Sequence, residues 1–335
     1  MTTLPVPVAP ASTYQDDRSV QDNRELPLSQ AFEDAMSAAR GFALSEKADA
    51  TRLAYASDFR DFAAWCCTVD AVHLPASIAT VGAYLASLQV RGLKVSTIDR
   101  RAAAIAYGHR LRGIEPPTSA EPVKAVLRGI RRRTGVAVER KAPATARAIT
   151  GMLRRIPDST LSGKRDRALL LIGFAAALRR SELVALNLAD LERTSDGILL
   201  HVRRSKTDQE GSGHVVAVPR GSKLKPVEAL EDWLAAAAIA DGPVFLRVRQ
   251  GGALGGRLTD RSVALIVKKW AAAAKLDAAR FSGHSLRAGF VTSALEHGAD
   301  LLKIMDVTRH REVKTLQAYD RRAKAFKNHA ARGFL

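Results

Sequence analysis

A mainly helical chain of two domains, with one small β-hairpin in the second, is what this sequence predicts. Three observations carry that expectation. Apolar residues recur at helical spacing through most of 29–133 and again after 146, and a charged, Gly- and Pro-containing stretch at 134–145 lacks that period. Two short β-rich runs, 198–202 and 214–218, flank a polar turn. With 335 residues and 47% hydrophobic content the chain is long and apolar enough for two domains of ordinary size.

Residues 1–28 mix prolines with small polar residues and read as a disordered tail. Residues 29–133 read as four or five packed helices. In the run 51–68, Leu53, Phe59, Phe62, Ala63 and Cys66 form the apolar stripe, with Tyr55 and Trp65 adding aromatic bulk. Further helices are expected at 78–89, 97–112 and 122–133, separated by Pro75, Gly92 and Pro116-Pro117. The last carries Lys124, Arg128, Arg131, Arg132 and Arg133, a partly one-sided basic face that could follow a DNA backbone and that equally resembles a solvated helix face. Cys66 and Cys67 are adjacent, a poor geometry for a disulfide, and both are expected as small core residues in a reducing compartment.

Residues 134–145 fit a linker, and 146–335 a second domain. It opens with helices, including the strongly apolar run 168–178, then turns to the hairpin with Lys206 near its tip. Helices resume at 226–240 and 262–276. A helix then begins at His284 with an apolar stripe of Ala288, Phe290, Val291, Ala294 and Leu295 and stops at Gly298. It places His284 and Arg287 one turn apart in its first turn, where free N–H groups favour an anion. A further helix over 301–307 breaks at Thr308-Arg309-His310, and a third run carries Tyr319.

Lysine and arginine number 52 against 34 acidic residues, a formal charge of +18. That excess predicts a polyanionic partner, nucleic acid foremost, although an arginine-rich proteome would raise it too. No run approaches ~18 uninterrupted apolar residues and no signal peptide is evident, so a cytoplasmic, nucleoid-associated protein with no membrane partner is expected.

The chemistry-bearing residues fall in a fixed order. Arg179 stands in Leu178-Arg179-Arg180-Ser181-Glu182-Leu183, where Glu182, one turn on, can hold its guanidinium. Lys206 follows on the hairpin, then His284-Ser285-Leu286-Arg287, His310, and Tyr319 nine residues later. In order, spacing and domain division this set resembles the active site of the tyrosine recombinases, or phage integrase family, over roughly 45–325. The resemblance implies an N-terminal helical core-binding (SAM-like) domain at 29–133 and an α+β catalytic domain at 146–335 ending in a docking tail.

Two departures stand out. Where the family usually has Gly-Leu-Arg the chain has Ala177-Leu178-Arg179, mild if the alanine's backbone angle is helical. Where the family usually has Leu-Gly-His it has Thr308-Arg309-His310, which removes a residue tolerant of positive φ and adds a charge beside the phosphate site.

A phenol with a pKa of ~10 is a poor nucleophile at neutral pH unless its proton is removed. Attack on a phosphodiester builds charge on the non-bridging oxygens, for which Arg179 and Arg287 are the candidate clamps. The resemblance implies that Tyr319 is the nucleophile and Lys206 the acid for the leaving 5′-oxygen. It makes His284 the base or orienting group, His310 a donor to phosphate, and Glu182 a supporting residue. Bond energy kept in a 3′-phosphotyrosine allows resealing without ATP, and no cofactor or metal is expected.

The resemblance further implies double-stranded DNA with inverted-repeat sites as partner and a homotetramer in the synapse, monomer or dimer off DNA, with accessory DNA-bending proteins compatible. The reaction would integrate, excise or resolve a mobile element. Two other functions share some of these features: a type IB topoisomerase, and a non-catalytic DNA-binding regulator using 301–319 as a helix-turn-helix.

Overall fold

The computed structural model describes residues 29–135, 141–203, 213–310, 312, 313 and 316. The tail 1–28, Lys206, Tyr319 and the proposed docking tail lie outside the described residues. The chain divides into two compact units at the 138/139 boundary, and each is described by itself.

The first unit holds α1 (Gln30–Ser45), α2 (Asp49–Thr68), α3 (Ile78–Val90), α4 (Val95–Arg110) and α5 (Glu121–Thr134). Its core is aromatic and aliphatic: Phe59, Phe62 and Cys66 of α2 meet Tyr84, Leu85 and Leu88 of α3 and Ile98, Ala102 and Ile105 of α4. Close approach of α2 and α4 is possible because residue 108 is glycine; a Cβ there would stand 2.5 Å from the Phe59 ring. Asp58 is buried and takes a two-pronged bond from Arg100 at 2.7 and 3.1 Å, so its charge is matched within the unit.

Two sequence expectations change here. Leu53, counted in the apolar stripe of α2, is 72% exposed, because the buried face turns to Phe59, Phe62 and Cys66. Cys66 is buried, but Cys67, one residue and about a hundred degrees further round the helix, is exposed.

The second unit runs through α6 (Ala146–Leu153), α7 (Leu161–Ala175), α8 (Arg180–Ala185), β1 (Leu191–Arg193), β2 (Gly197–Val202), β3 (His214–Pro219), α9 (Pro226–Ala236), β4 (Leu246–Val248), β5 (Leu254–Arg257), α10 (Asp260–Ala273), α11 (His284–Glu296) and α12 (Leu301–Thr308). β1, β2 and β3 form an antiparallel sheet in that order, Val202 facing His214. The sequence gives the β2–β3 hairpin; β1 and the separate β4–β5 hairpin, three and four residues long, are too short to show a period of two.

Helix α7 is the unit's central member, packing against α9, α10 and α11. All its residues from Ala168 to Phe174 are buried, which is why its apolar run showed no amphipathic stripe. Trp233 and Trp270 are buried beside it, and the Trp270 indole donates to Asp166 at 2.8 Å.

The stretch 141–145, read from the sequence as the end of a linker, runs with Ala146 along α11 and the short turn before it. Ala142 N–H donates to Arg280 O at 2.6 Å, Ala144 N–H to Ser285 O at 2.8 Å, and Ala146 N–H to Ser293 Oγ at 2.9 Å. Gly289 permits this: a Cβ there would lie 1.9 Å from Ala144 O. Neither partner is a flexible side chain tip, so Gly289→Ala is expected to cost about 3 kcal/mol, the upper part of the usual overpacking range. Thermal unfolding should fall by ~6–12 °C; an unchanged midpoint would remove the strap from the account of how α11 is held.

Candidate active site

Arg179 is the N-cap of α8, reached through a bend at Ala177. Ala177 has a φ of 47°, so its backbone is left-handed and not helical. The alanine is therefore the costlier case, by roughly 1 kcal/mol against glycine. Glu182, in the first turn of α8, accepts Arg179 N–H at 2.8 Å with Oε2 and Arg179 Nη1 at 2.6 Å with Oε1. This fixes backbone and guanidinium together.

Arg309 ends α12 with a φ of 56°, the second position where glycine would be unstrained. Its Nη2 donates to Glu182 Oε2 at 2.7 Å. One buried carboxylate thus joins two arginines brought from α8 and from the end of α12.

Arg287, in the first turn of α11, is buried and ties the same two bends. Its Nη1 donates to Ala177 O at 2.9 Å and its Nη2 to Thr308 O. Thr308 in turn bonds His310, with Oγ1 2.8 Å from Nδ1. Arg179, Glu182, Arg287, Thr308, Arg309 and His310 therefore form one connected cluster.

His284 opens α11 and is exposed, whereas Arg287 three residues on is buried, so their common face divides between solvent and core. The first-turn amides are partly committed: His284 N–H bonds Ser282 Oγ at 3.3 Å and Ser285 N–H bonds Ser282 O at 2.9 Å. His214 at the base of the β2–β3 hairpin lies with Nε2 3.4 Å from Asp306 O, which brings the hairpin base to α12. Leu316, three residues before Tyr319, is fully buried in a small cluster with Val291, Leu295 and Ile304.

Arg179 and Arg309 share Glu182, while Arg287 donates to backbone carbonyls, so cations outnumber carboxylates in this cluster. The imbalance acts on His310, whose pKa is pushed down to about 4 by burial and then by Arg287, Arg179 and Arg309. It is a neutral imidazole at neutral pH. Burial also lowers Arg309, with Glu182 opposing the shift.

The sign for stability follows from the depressed value. An unfolded His310 takes a proton near its ordinary 6.5, the folded one only near 4, so stability is lost as pH falls through that interval. Urea titrations of the parent and of His310→Gln should diverge between those pH values, the parent losing more; parallel curves would refute the shift.

In the first unit, Lys124, Arg128, Arg131 and Arg132 are exposed on α5. Arg128 pairs with Glu121 of its own helix and Arg131 with Asp99 of α4 at 2.7 Å. Part of the basic face therefore has counter-ions of its own.

Sequence reasoning missed Thr308 as the link between Arg287 and His310, since a backbone carbonyl gives no side-chain signal. It also left Arg309 without a partner; Glu182 lies 127 residues earlier and only the fold joins them.

The sequence model of the phage integrase family matches residues 144–325, more than half of the chain. This chain belongs to the phage integrase family. A Selenomonas ruminantium relative named integrase/recombinase xerD homolog is 39% identical over 290 residues, covering 85% of each sequence. Recombinase cre of Escherichia phage P1 is 29% identical over 281 residues, covering 78% of this chain and 81% of its own length. In fold, this integrase-family chain resembles the XerH site-specific recombinase bound to palindromic difH substrate, with a TM-score of 0.56 at 18% identity over 74% of this chain and 70% of that one.

Proposed function

We infer that the chain is a site-specific tyrosine recombinase, an enzyme that breaks DNA strands and rejoins them by transesterification. The observation that carries the reading is the cluster in which Arg179, Arg287 and neutral His310 converge, with Glu182 as its one carboxylate among the described residues. Such a site is set for an anion whose charge grows during reaction.

In this reading Tyr319 attacks the scissile phosphorus, forming a 3′-phosphotyrosine and expelling the 5′-oxygen, which takes its proton from Lys206. Arg179 and Arg287 stabilise the non-bridging oxygens, His310 donates to one of them, and His284 assists the phenol. Glu182 supports the Arg179 guanidinium. A second transesterification, by a 5′-hydroxyl of the partner strand, restores the phosphodiester and releases Tyr319.

The substrate is double-stranded DNA with inverted-repeat sites, bound by a helical core-binding domain at 29–133 and a catalytic domain at 146–335. Lys124, Arg128, Arg131 and Arg132 contact its backbone. Four copies assemble in the synapse, monomers or dimers being the form off DNA, and the enzyme works in the nucleoid on a mobile element, with accessory DNA-bending proteins as compatible partners.

The deciding experiment presents nicked duplexes from DNA flanking the gene and follows the protein–DNA adduct on denaturing gels. The parent should accumulate an adduct and Tyr319→Phe none; persistence of the adduct in Tyr319→Phe would identify another nucleophile.

A further inference from the structure

Arg309 is an unusual residue to find where it is. Its side chain is only 7% exposed, it occupies a left-handed backbone angle that favours glycine, and it sits among like charges. Its Nη2 is satisfied by Glu182, yet Nε and Nη1 are buried with no hydrogen-bond partner among the described residues. A buried charged donor without an acceptor is among the costlier features a fold can keep. Backbone strain adds to that cost.

Two features say what would satisfy those donors. Glu182, the carboxylate within reach, is already shared with Arg179, so the pair of arginines carries one positive charge in excess. The next residue is His310, held by Thr308, and Arg287 donates to the carbonyl of that same Thr308. Any anion seated between Arg179, Arg287 and His310 is therefore a neighbour of the Arg309 guanidinium.

We propose that Arg309 is a third arginine for the reacting phosphodiester: Glu182 holds it by Nη2, and its Nε or Nη1 donates to a phosphate oxygen once DNA is seated. This inference rests on the active-site reading above. It also requires the cover over Nε and Nη1 to shift when the duplex binds, since both are closed to water in the DNA-free chain. The third cation would matter most when the phosphate passes from one negative charge to two in the pentacoordinate transition state.

The test uses full-length Tyr319→Phe protein labelled with 15N-arginine, bound uncut to a duplex recovered as a covalent adduct with the parent. The Arg309 Nε–H resonance, identified by its loss in Arg309→Lys, should move downfield on binding the phosphodiester duplex. It should stay in place with a duplex carrying a neutral methylphosphonate at the cut position. In parallel, Arg309→Met should slow adduct formation about 100-fold, the scale of losing one preorganised donor. Arg309→Gly, which relieves the left-handed backbone, should show the same loss and guards against a folding defect in the methionine variant.

A resonance unmoved by both duplexes, or moved equally by both, overturns the proposal. A slow variant with an unmoved resonance assigns Arg309 to holding Glu182 and Arg179 only, which also overturns it. If Tyr319→Phe protein forms the adduct, the underlying active-site reading fails instead, and the methylphosphonate comparison still reports on Arg309.

Discussion

Glu182→Ala is expected to destabilise the chain by about 3–5 kcal/mol, the range for removing one partner from a buried ion pair. The Glu182 side chain is 2% exposed and accepts from Arg179 at 2.6 Å and from Arg309 at 2.7 Å. Its loss leaves two guanidinium groups facing each other without a counter-charge, and it also removes the acceptor for Arg179 N–H at the start of α8. Urea denaturation should show the loss directly. Adding Arg309→Met should recover part of it, because one cation then disappears with the carboxylate; no recovery would mean that the two arginines do not compete for Glu182. Glu182→Gln should fall between, since an amide oxygen still accepts one bond.

Arg287→Lys is expected to lower adduct formation by roughly 100- to 1000-fold while changing duplex affinity far less. Arg287 holds two bends at once through two nitrogens, at Ala177 O and Thr308 O. A lysine has one nitrogen on a flexible stem and cannot span both acceptors in that geometry. The bend at Ala177 leads directly into Arg179, and Thr308 holds His310, so relaxing either moves a group proposed to touch the phosphate. Single-turnover adduct formation and fluorescence anisotropy on the same duplex separate the two effects. Equal losses in rate and affinity would count against a role for Arg287 after binding.

Helix content, the β2–β3 hairpin and the order of the reactive side chains were all legible in the residues. Helical periodicity is local, so α2 to α5 and α9 to α12 could be placed to within a few residues. Composition pointed to a polyanion because charge is additive whatever the fold. The order from Arg179 through Lys206, His284, Arg287 and His310 to Tyr319 identified the family because chain order survives folding.

Contacts between distant parts of the chain were not legible in this way. That Arg309 binds Glu182, that Arg287 reaches Ala177 and Thr308, and that 142–146 straps α11 are decided by packing across more than a hundred residues in all but one of these contacts. Backbone hand is likewise a tertiary outcome: nothing in the letters Ala177 and Arg309 favours a positive φ, and both adopt one because the surrounding bonds impose it. The sequence by itself determined which chemical groups this protein carries and in what order. Only the tertiary structure decided that one buried carboxylate would join two of its arginines, leaving the site an excess of positive charge.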